Sequence, residues 1–148
     1  MPRSHALRKG RYSGANLIYV VTTVCAERRP LFASFQNARL LVQSLREAEA
    51  SATTLCFVVM PDHVHWMFQL KAGAELSATV RFVKAHTTRN LRARCPDIGS
   101  VWQRGFHDHA VRREENLRAL ARYIIANPLR AGLARSPAEY SFWDCIWL

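Results

Sequence analysis

Residues 53–70 read TTLCFVVMPDHVHWMFQL, and this stretch decides the fold. Its first half is almost continuously apolar and rich in β-branched side chains, which predicts a strand buried on both faces over Thr53–Met60. Pro61 and Asp62 are predicted to form a turn, because both residue types favour chain reversals. A second strand follows over His63–Leu70, and the two strands are expected to pair in antiparallel fashion.

Hydrophobic periodicity places further elements around this hairpin: a strand over Asn16–Val24, helices over Phe35–Ala50 and Leu76–Arg94, and a strand over Val101–Arg112. Glu114 and Glu115 then open a third helix, because acidic groups complement the helix dipole, and Pro128 ends it. The first six elements follow the order of the ferredoxin-like split βαβ pattern. We therefore expect an α+β fold: an antiparallel sheet with helices on one face, plus a C-terminal helix.

Length and composition favour one folded domain. The 148 residues, 49% hydrophobic and 22% charged, suffice for one core. We expect a single domain over 1–148, with a basic arm over 1–15 and a C-terminal tail over 128–148. No apolar run is long enough to span a bilayer, no signal peptide is recognisable, and the four cysteines are widely spaced. These features favour a cytoplasmic protein with reduced thiols and no membrane partner.

The net charge of +10 favours a polyanionic partner, because 21 basic residues stand against only 11 acidic ones. Only three of the basic residues are lysines. The planar forks of arginine suit phosphates and guanine edges, so the bias is compatible with DNA. A GC-rich genome would produce the same arginine bias, and composition alone therefore leaves nucleic-acid binding open.

His63 and His65 are the first candidate functional residues. Residues i and i+2 of a strand point to the same face, about 6.6 Å apart, so two imidazoles can grip one metal ion from one side. Val64 between them is expected to point into the core. Such a pair also arises by chance or on a surface. Burying two imidazoles in an apolar strand is costly without partners, however, and this context favours metal ligation.

Tyr123 and Asn127 form the second candidate pair. They are one turn apart on the predicted third helix and fall at one edge of its apolar stripe. Their hydroxyl and amide groups can therefore reach a site on the sheet while the helix stays docked. A core-edge tyrosine and a helix C-terminal asparagine before Pro128 are the commoner explanation of such a pair, so spacing alone leaves both explanations open.

Together these residues would suit phosphodiester chemistry. A tyrosine that attacks phosphorus forms a covalent phosphotyrosine and frees a 3′ hydroxyl, so the step can reverse without a nucleotide cofactor. Tyrosine is a poor nucleophile at neutral pH, since its ordinary pKa is about 10. A metal on the phosphate offsets this weakness by neutralising charge. The chemistry suits Mg²⁺ or Mn²⁺, although imidazole prefers softer metals.

Four sequence blocks resemble a known family, in the expected order over residues 10–140. Met60–Met67 (MPDHVHWM) resembles the HUH strand of single-tyrosine transposases. Tyr123–Gly132 (YIIANPLRAG) resembles the catalytic helix of one branch, the REP-associated tyrosine transposases. Trp102–Arg112 (WQRGFHDHAVR) and Tyr19–Phe32 resemble that branch's other recurring blocks. The tail from Tyr140 lacks the serine pair expected after its tryptophan, which leaves any role of the C-terminus open.

The resemblance implies a bacterial enzyme that cleaves and rejoins single-stranded DNA beside hairpins of repetitive extragenic palindromes. Carried over residue by residue, Tyr123 is the nucleophile that forms a 5′-phosphotyrosine, and His63 and His65 are metal ligands. Asn127 takes the place of the third ligand, a glutamine in related transposases. The resemblance also implies a divalent metal, Mg²⁺ or Mn²⁺, and action at the nucleoid. A monomer is favoured, although related enzymes can act as dimers that exchange the tyrosine helix.

Candidate DNA contacts lie in the N-terminal arm, on the basic face of the second helix and in the Trp102 block, where they would neutralise phosphates or stack bases. They are Arg8, Lys9, Arg11, Arg81, Lys84, Arg89, Trp102, Gln103, Arg104 and Arg112. His107, Asp108 and His109 are expected to order the site, although a purely structural role is equally compatible with the sequence. Core packing is the alternative for Trp102, and a solvated face for the helix cluster.

Two other functions remain open from the sequence. The same fold would serve as a DNA- or RNA-binding module without cleavage, which the net charge would suit. A zinc hydrolase would instead use water as the nucleophile, with zinc held by His63, His65, His107 and His109.

Overall fold

The computed structural model describes residues 17–112 and 116–147. Its strands are β1 (Ile18–Val24), β2 (Ala52–Met60), β3 (His63–Leu70), β4 (His107–Ala110) and β5 (Trp143–Cys145). Its helices are α1 (Phe35–Glu47), α2 (Leu76–Arg94), α3 (Leu117–Ile125) and α4 (Asn127–Arg130). Short 3₁₀ turns cover Ala26–Arg28, Leu31–Ala33, Ala48–Ala50 and Pro137–Glu139. Within the two described ranges, the helices are too short or too polar to cross a membrane.

The five described strands form one antiparallel sheet in the order β4–β1–β3–β2–β5. β3 occupies the centre and pairs with β1 along its first seven residues, from His63 to Gln69. The hairpin of β2 and β3 turns at Pro61 and Asp62, as the sequence predicts. The α+β architecture expected from the order of elements is confirmed.

Alternate residues of β3 serve opposite faces of the sheet. Val64, Trp66, Phe68 and Leu70 belong to the larger core, which α1 and α2 cover. The rings of Trp66 and Phe68 are 4.0 Å apart, and the Trp66 indole nitrogen donates to the hydroxyl of Thr54 at 2.9 Å. The indole therefore lies inside the core without an unsatisfied donor.

The opposite face carries a smaller core beneath α3. Ala121, Ile124 and Ile125 of this helix pack against apolar residues of the central strands, including Val58 and Met67. α3 therefore covers the β2 and β3 side of this face. The predicted C-terminal helix is present, and it lies across the sheet from α1 and α2.

β4 is shorter than the sequence predicts. Instead of a strand over Val101–Arg112, pairing with β1 is limited to His107–Ala110, and a single bridge joins Trp102 to Cys25. Gly105 lies between the two pairings with a φ of +71°. Glycine adopts this conformation at little cost, and the turn that results interrupts the strand.

The third predicted helix is divided in two. α3 ends at Ile125, Ala126 follows, and α4 begins at Asn127. Pro128 is buried in the first turn of α4, where its missing N–H costs no hydrogen bond. Pro128 therefore helps to open a helix instead of ending one, and Tyr123 and Asn127 lie on consecutive helices.

The start of α3 also differs from the prediction. Asn116 is its N-terminal cap, and its side-chain oxygen accepts from the Ala119 amide at 3.0 Å. Glu114 and Glu115, which were expected to open this helix, lie outside the described residues, as does the predicted basic arm over 1–15.

The C-terminal tail contains a strand that the sequence did not predict. β5 pairs with β2 from Cys56 to Val58 and forms one end of the sheet. The Tyr140 hydroxyl, just before β5, donates to the Val59 carbonyl at 2.7 Å. These contacts fix residues 140–145 against the strand that precedes the histidine turn.

Candidate active site

His63 and His65 lie on the sheet face that carries α3, because Val64 between them is buried in the opposite core. Their ring centroids are 4.8 Å apart, and the ring planes are nearly perpendicular, at 82°. Both side chains are half-buried. Two imidazoles therefore share one small region of the sheet surface, as the spacing predicts.

Each imidazole is held through its Nδ1 atom. His63 Nδ1 lies 2.7 Å from a carboxylate oxygen of Asp62, and His65 Nδ1 lies 2.8 Å from the Thr22 hydroxyl. Metal-binding histidines commonly use one ring nitrogen in this way, which fixes the orientation of the ring. The Nε2 atoms are thus the ring nitrogens that a metal ion would contact.

Asp62 connects the histidines to the loop after β1. Arg28 Nη1 donates to its second carboxylate oxygen at 3.1 Å. Burial raises the pKa of Asp62, but the hydrogen bonds and charges of His63 and Arg28 outweigh burial and hold the pKa below its usual value. Asp62 is therefore a carboxylate that accepts from both neighbours.

Two backbone hydrogen bonds hold the turn that begins β3. The Cys25 amide donates to the Asp62 carbonyl at 2.8 Å, and the Phe32 amide donates to the Pro61 carbonyl at 2.9 Å. Glu27, between these two anchors, has a φ of +53°, a conformation that non-glycine residues seldom adopt. The bent loop after β1 is thus hydrogen-bonded to the turn at two points.

His65 is electrostatically suited to bind a metal. Burial, followed by the electrostatic effects of the neighbouring His63 and Arg130, lowers its pKa to about 4. At pH 7 the ring is therefore neutral, which is the form that coordinates metals. Arg130, one of these two neighbours, belongs to α4, the short helix that follows the helix of Tyr123.

Tyr123, the predicted nucleophile, is 63% exposed near the end of α3. The Arg130 guanidinium lies over its ring, with Cζ 3.9 Å from the ring centroid. Arg130 Nη2 also donates to the Tyr123 carbonyl at 2.7 Å. One side chain therefore contacts both the ring and the backbone of Tyr123 and acts on His65 as well.

Asn127, the predicted third ligand, is half-buried at the start of α4. Its Nδ2 donates to the Ile124 carbonyl at 2.8 Å, which orients the amide at the junction of the two helices. If Asn127 binds a metal ion, as predicted, it would therefore do so through its amide oxygen.

His107 and His109 share the sheet face of the first histidine pair. Thr22 pairs with His65 of β3 on one side and with His107 of β4 on the other, and directly opposite residues share a face. His109 follows on that face, whereas Asp108 points to the other one. Both histidines are exposed, and Asp108 is half-buried. The three residues expected to order the site are thus divided between two faces.

The predicted metal site consists of a histidine pair, without a larger cluster. In residues 17–112 and 116–147, no three His, Cys, Asp or Glu side chains come together to hold an ion. The four-histidine zinc site, in which His107 and His109 would join His63 and His65, is therefore not assembled there. The two imidazole Nε2 atoms are donors that suit a divalent cation, and the place of Asn127 as a third ligand stays a prediction.

Comparison with known proteins identifies the family of this chain. The family model described as Transposase IS200 like matches residues 13–127, which is most of the chain. The chain belongs to the IS200-like transposase family. The match includes β3 with its histidine pair and the helix that carries Tyr123.

Similar proteins point to one branch of these transposases. A REP-associated tyrosine transposase of Escherichia coli (strain K12) is 28% identical over 87 residues, which are 58% of this chain and 50% of that protein. A Haemophilus influenzae protein provisionally given the same name is 28% identical over 99 residues, 60% of this chain and 56% of that protein. The chain thus spans about half the length of the curated relatives it matches.

A solved structure of a REP-associated tyrosine transposase bound to a REP hairpin has a TM-score of 0.72 against this transposase. The two are 24% identical, and the likeness covers 90% of this chain and 79% of the other. At this identity the likeness establishes a common fold. The resemblance predicted from the four sequence blocks is confirmed.

Most predicted DNA contacts of this transposase that the structure describes lie beside α2. A groove of about 960 Å³, which we call the α2 groove, runs between α2 and residues 102–106. Its longer lining side chains are Arg81, Lys84, Arg89, Arg92, Trp102 and Phe106. The basic helix face and the Trp102 block therefore form one surface, on the side of the sheet away from the histidine pair.

Lys84 and Trp102 have structural contacts in this groove. Lys84 Nζ donates to the carbonyls of Gln103 at 3.0 Å and Gly105 at 2.8 Å, and burial lowers its pKa. Trp102 Nε1 donates to the Lys84 carbonyl at 3.1 Å, and its ring centroid is 5.5 Å from that of Phe32. The ammonium of Lys84 therefore ties the turn to α2, and Trp102 combines partial core packing with a place in the groove wall.

The other predicted DNA contacts are not among the residues that line the α2 groove. Gln103, Arg104 and Arg112 are exposed, the first two in the turn before β4 and the third just after that strand. Arg8, Lys9 and Arg11 lie outside the described residues.

Sequence reasoning missed four residues that position the site: Thr22, Asp62, Arg28 and Arg130. An antiparallel register between the first strand and the histidine strand would have placed Thr22 opposite His65. Arg130 follows Tyr123 by two helical turns, but the expected helix end at proline removed it from consideration. The contacts of Asp62 and Arg28 depend on loop geometry, for which the sequence offered no signal.

Proposed function

We propose that this chain cleaves and rejoins single-stranded DNA beside palindromic hairpins, by forming a 5′-phosphotyrosine at Tyr123 with the help of a divalent cation. The observation that carries the proposal is that the histidine pair and the helix bearing Tyr123 share one face of the sheet, where Arg130 stacks on Tyr123. It links the predicted nucleophile to the predicted metal ligands. The REP hairpin bound by the structural neighbour supports hairpin DNA as the substrate.

In the proposed step, Tyr123 Oη attacks the phosphorus atom and the bond from phosphorus to the 3′ oxygen breaks. The phenolic proton passes to water, and the departing 3′ oxygen takes up a proton to become a hydroxyl. One phosphodiester is replaced by another, so attack by a 3′ hydroxyl on the phosphotyrosine reverses the reaction and rejoins the strand.

The histidine pair would hold the cation. The Nε2 atoms of His63 and His65 and the amide oxygen of Asn127 are the donor atoms of this chain. A bound Mg²⁺ or Mn²⁺ would supply charge neutralisation at the phosphate oxygens. Thr22 and Asp62 would keep the two imidazoles oriented, since they engage the Nδ1 atoms.

Arg130 would orient Tyr123 and place a positive charge beside the reacting phosphate. We expect Arg130→Gln to lower the rate of adduct formation by about a hundredfold, because it removes both stack and charge. Arg130→Lys keeps the charge but loses the planar stack, and about a tenfold loss is expected. Equal loss in both variants, or none, would contradict this role. Unfolding midpoints would confirm that both variants remain folded.

The decisive experiment uses a labelled hairpin oligonucleotide with single-stranded flanks and Mn²⁺. Wild-type protein should yield a covalent adduct that survives denaturing electrophoresis, and Tyr123→Phe should yield none. Tyr140→Phe is the matched control, because it removes a phenolic hydroxyl that donates to the Val59 carbonyl. An adduct with Tyr123→Phe would refute the assignment of the nucleophile.

The same experiment separates cleavage from simple binding. A protein that binds the hairpin equally well with a chelator, and never cuts any strand, would be a binding module of the same fold. Adducts that require Mn²⁺ or Mg²⁺ would support the metal-dependent enzyme.

We further propose that the chain acts as a monomer on bacterial nucleoid DNA in the cytoplasm. Ala121, Ile124 and Ile125 of α3 pack against the sheet of their own chain, which supports a site assembled without a partner's tyrosine helix. Sedimentation of the protein with and without hairpin DNA tests this, and a stable dimer would count against it.

A further inference from the structure

We infer that the α2 groove binds unpaired bases of the DNA substrate, on the side of the sheet away from His63 and His65. The identity of the polymer rests on the proposed function. The preference for unpaired bases rests on the groove itself, on its charge, its concave shape and its aromatic wall.

The charge of the groove suits a phosphate backbone. Four basic residues line it, and no acidic residue is among the described residues of its lining. Lys84 and Arg92 donate to backbone carbonyls, the latter to Gly99 at 3.2 Å. Arg81 and Arg89 are exposed and have no hydrogen bond or ion pair with the described residues. These two guanidinium groups are therefore placed to meet phosphates.

The shape of the groove suits bases that are not paired. Ser77, Ala85 and Thr88 are small and leave a concavity on α2, and Trp102 and Phe106 stand on its opposite side. A duplex presents phosphates at its surface and hides the faces of its bases, so it would not fill such a cleft. Unpaired bases expose those faces and stack on aromatic rings. The volume of about 960 Å³ is large enough for ligands of this class.

The aromatic side of the groove is held in place before any ligand arrives. Lys84 ties the Gln103–Gly105 turn to α2, and the Trp102 indole nitrogen is bonded to the Lys84 carbonyl. Phe32 lies behind the indole. A preformed wall lowers the entropy cost of binding a flexible strand.

The groove and the histidine face meet at the edge of the sheet. Phe106 lines the groove, and the next residue, His107, lies in the row that runs through Thr22 to His65. A strand with bases in the groove would therefore turn around β4 to reach the face that carries Tyr123.

The test measures binding in a chelator, so that cleavage plays no part. The probes are an unstructured oligothymidylate of about twelve nucleotides, an abasic strand of equal length and charge, and a duplex of equal length. Wild-type protein should bind the oligothymidylate about tenfold more tightly than the abasic strand, because stacking requires bases. Equal affinity for these two strands would overturn the inference, as would tighter binding of the duplex.

Charge variants locate the contact. Arg81→Ala with Arg89→Ala should flatten the dependence of log affinity on log salt by about 1.4, since each single-strand phosphate contact contributes about 0.7. Arg46→Ala with Arg39→Ala removes the same charge from exposed positions on α1 and should leave the slope unchanged. A similar slope change in both double variants would place the contact elsewhere.

Phe106→Leu keeps an apolar side chain and removes the aromatic face, and it should reduce the preference for thymidylate over the abasic strand. Cross-linking of an iodouracil-substituted strand, followed by mass spectrometry, should label Trp102 or Phe106. Labels confined to other peptides would overturn the inference. The binding assay contains a chelator, so a negative result in it would not bear on the proposed reaction of Tyr123. Conversely, if no tyrosine adduct forms in the cleavage assay, the binding assay still tests the α2 groove.

Discussion

The two faces of the sheet use the same central strand for different purposes. One face of β3 supplies Trp66 and Phe68 to a core closed by two long helices, whereas the other supplies His63 and His65 to a surface that α3 covers only in part. Because side chains alternate, Val64 and Trp66, which flank His65 in sequence, pack on the opposite side. The comparison teaches that the position of the histidine pair is fixed by the core on the opposite face of the sheet, to which neither histidine contributes a side chain.

The largest expected effect is on the core face. Phe68→Ala should lower the free energy of unfolding by about 3–5 kcal/mol, because it removes a fully buried ring, while the adduct rate per folded molecule stays near that of wild type. Urea denaturation and single-turnover adduct formation measure the two quantities. If Phe68→Ala does not fold, Phe68→Leu should show a smaller loss in the free energy of unfolding, again with an adduct rate per folded molecule near that of wild type. A fall in the adduct rate without a loss of stability would show that the core face contributes directly to the reaction.

The next effect is on the histidine face. His65→Ala should lower the adduct rate by about 100–1,000-fold, because it removes a predicted ligand of the cation at the reacting phosphate. Its loss of stability should be smaller than that of Phe68→Ala, because His65 is only half-buried. Gln69→Ala, farther along the same face of β3, is the control and should retain most of the rate. Retained activity in His65→Ala would remove the histidine pair from the mechanism.

Adjacent threonines of β1 sharpen the comparison. Thr22 contacts His65, whereas Thr23 is buried and its hydroxyl has no hydrogen-bond partner among the described residues. Thr22→Val should lower the adduct rate by about 10–100-fold through loss of the histidine's support. Thr23→Val should leave the rate unchanged and raise the free energy of unfolding by about 1 kcal/mol, because an unsatisfied buried hydroxyl is removed. Equal effects of the two substitutions would show that the faces are not independent.

The smallest expected effect concerns acid stability. The pKa of Asp62 is lower in the folded chain than its usual value of 3.8, so its contribution to stability is present above that value and is lost as the pH falls below it. Asp62→Asn should therefore be less stable than wild type at pH 7, by less than about 1 kcal/mol, and the difference should shrink as the pH falls below 3.8. Urea unfolding across this range measures it, with exposed Asp97→Asn as the control. A difference that grows on acidification would contradict the assignment.

The central hairpin could be predicted well from the sequence because its signals are local. Alternation and apolar runs gave β2 and β3, with β3 bounded as expected at His63–Leu70, and helical periodicity gave α2 over Leu76–Arg94. Sequence patterns did not predict the elements that form only because they pair with a distant part of the chain. β5 has only three residues, too few for a pattern, and it exists because β2 offers it an edge.

The candidate site was predictable in its residue types more than in its contacts. The HxH pair and Tyr123 were visible as motifs, but the helix break at Ala126 and the stack of Arg130 on Tyr123 depend on how α3 and α4 pack. Likewise, Lys84 was assigned to DNA from its charge, whereas its ammonium contacts carbonyls that lie some twenty residues away in sequence. Periodicity cannot reveal such pairings.

The turn that begins β3 is anchored by the amides of Cys25 and Phe32, and neither hydrogen bond involves a side chain. Every amino acid except proline brings the same amide, so these anchors survive substitution of the residues that supply them. The two anchors thus place no demand on an exposed side chain of the loop such as Glu27, whereas Arg28 is tied to Asp62 and the side chains of Cys25 and Phe32 are buried in the core. An engineer could accordingly redesign the surface around the site, provided that proline is avoided at positions 25 and 32.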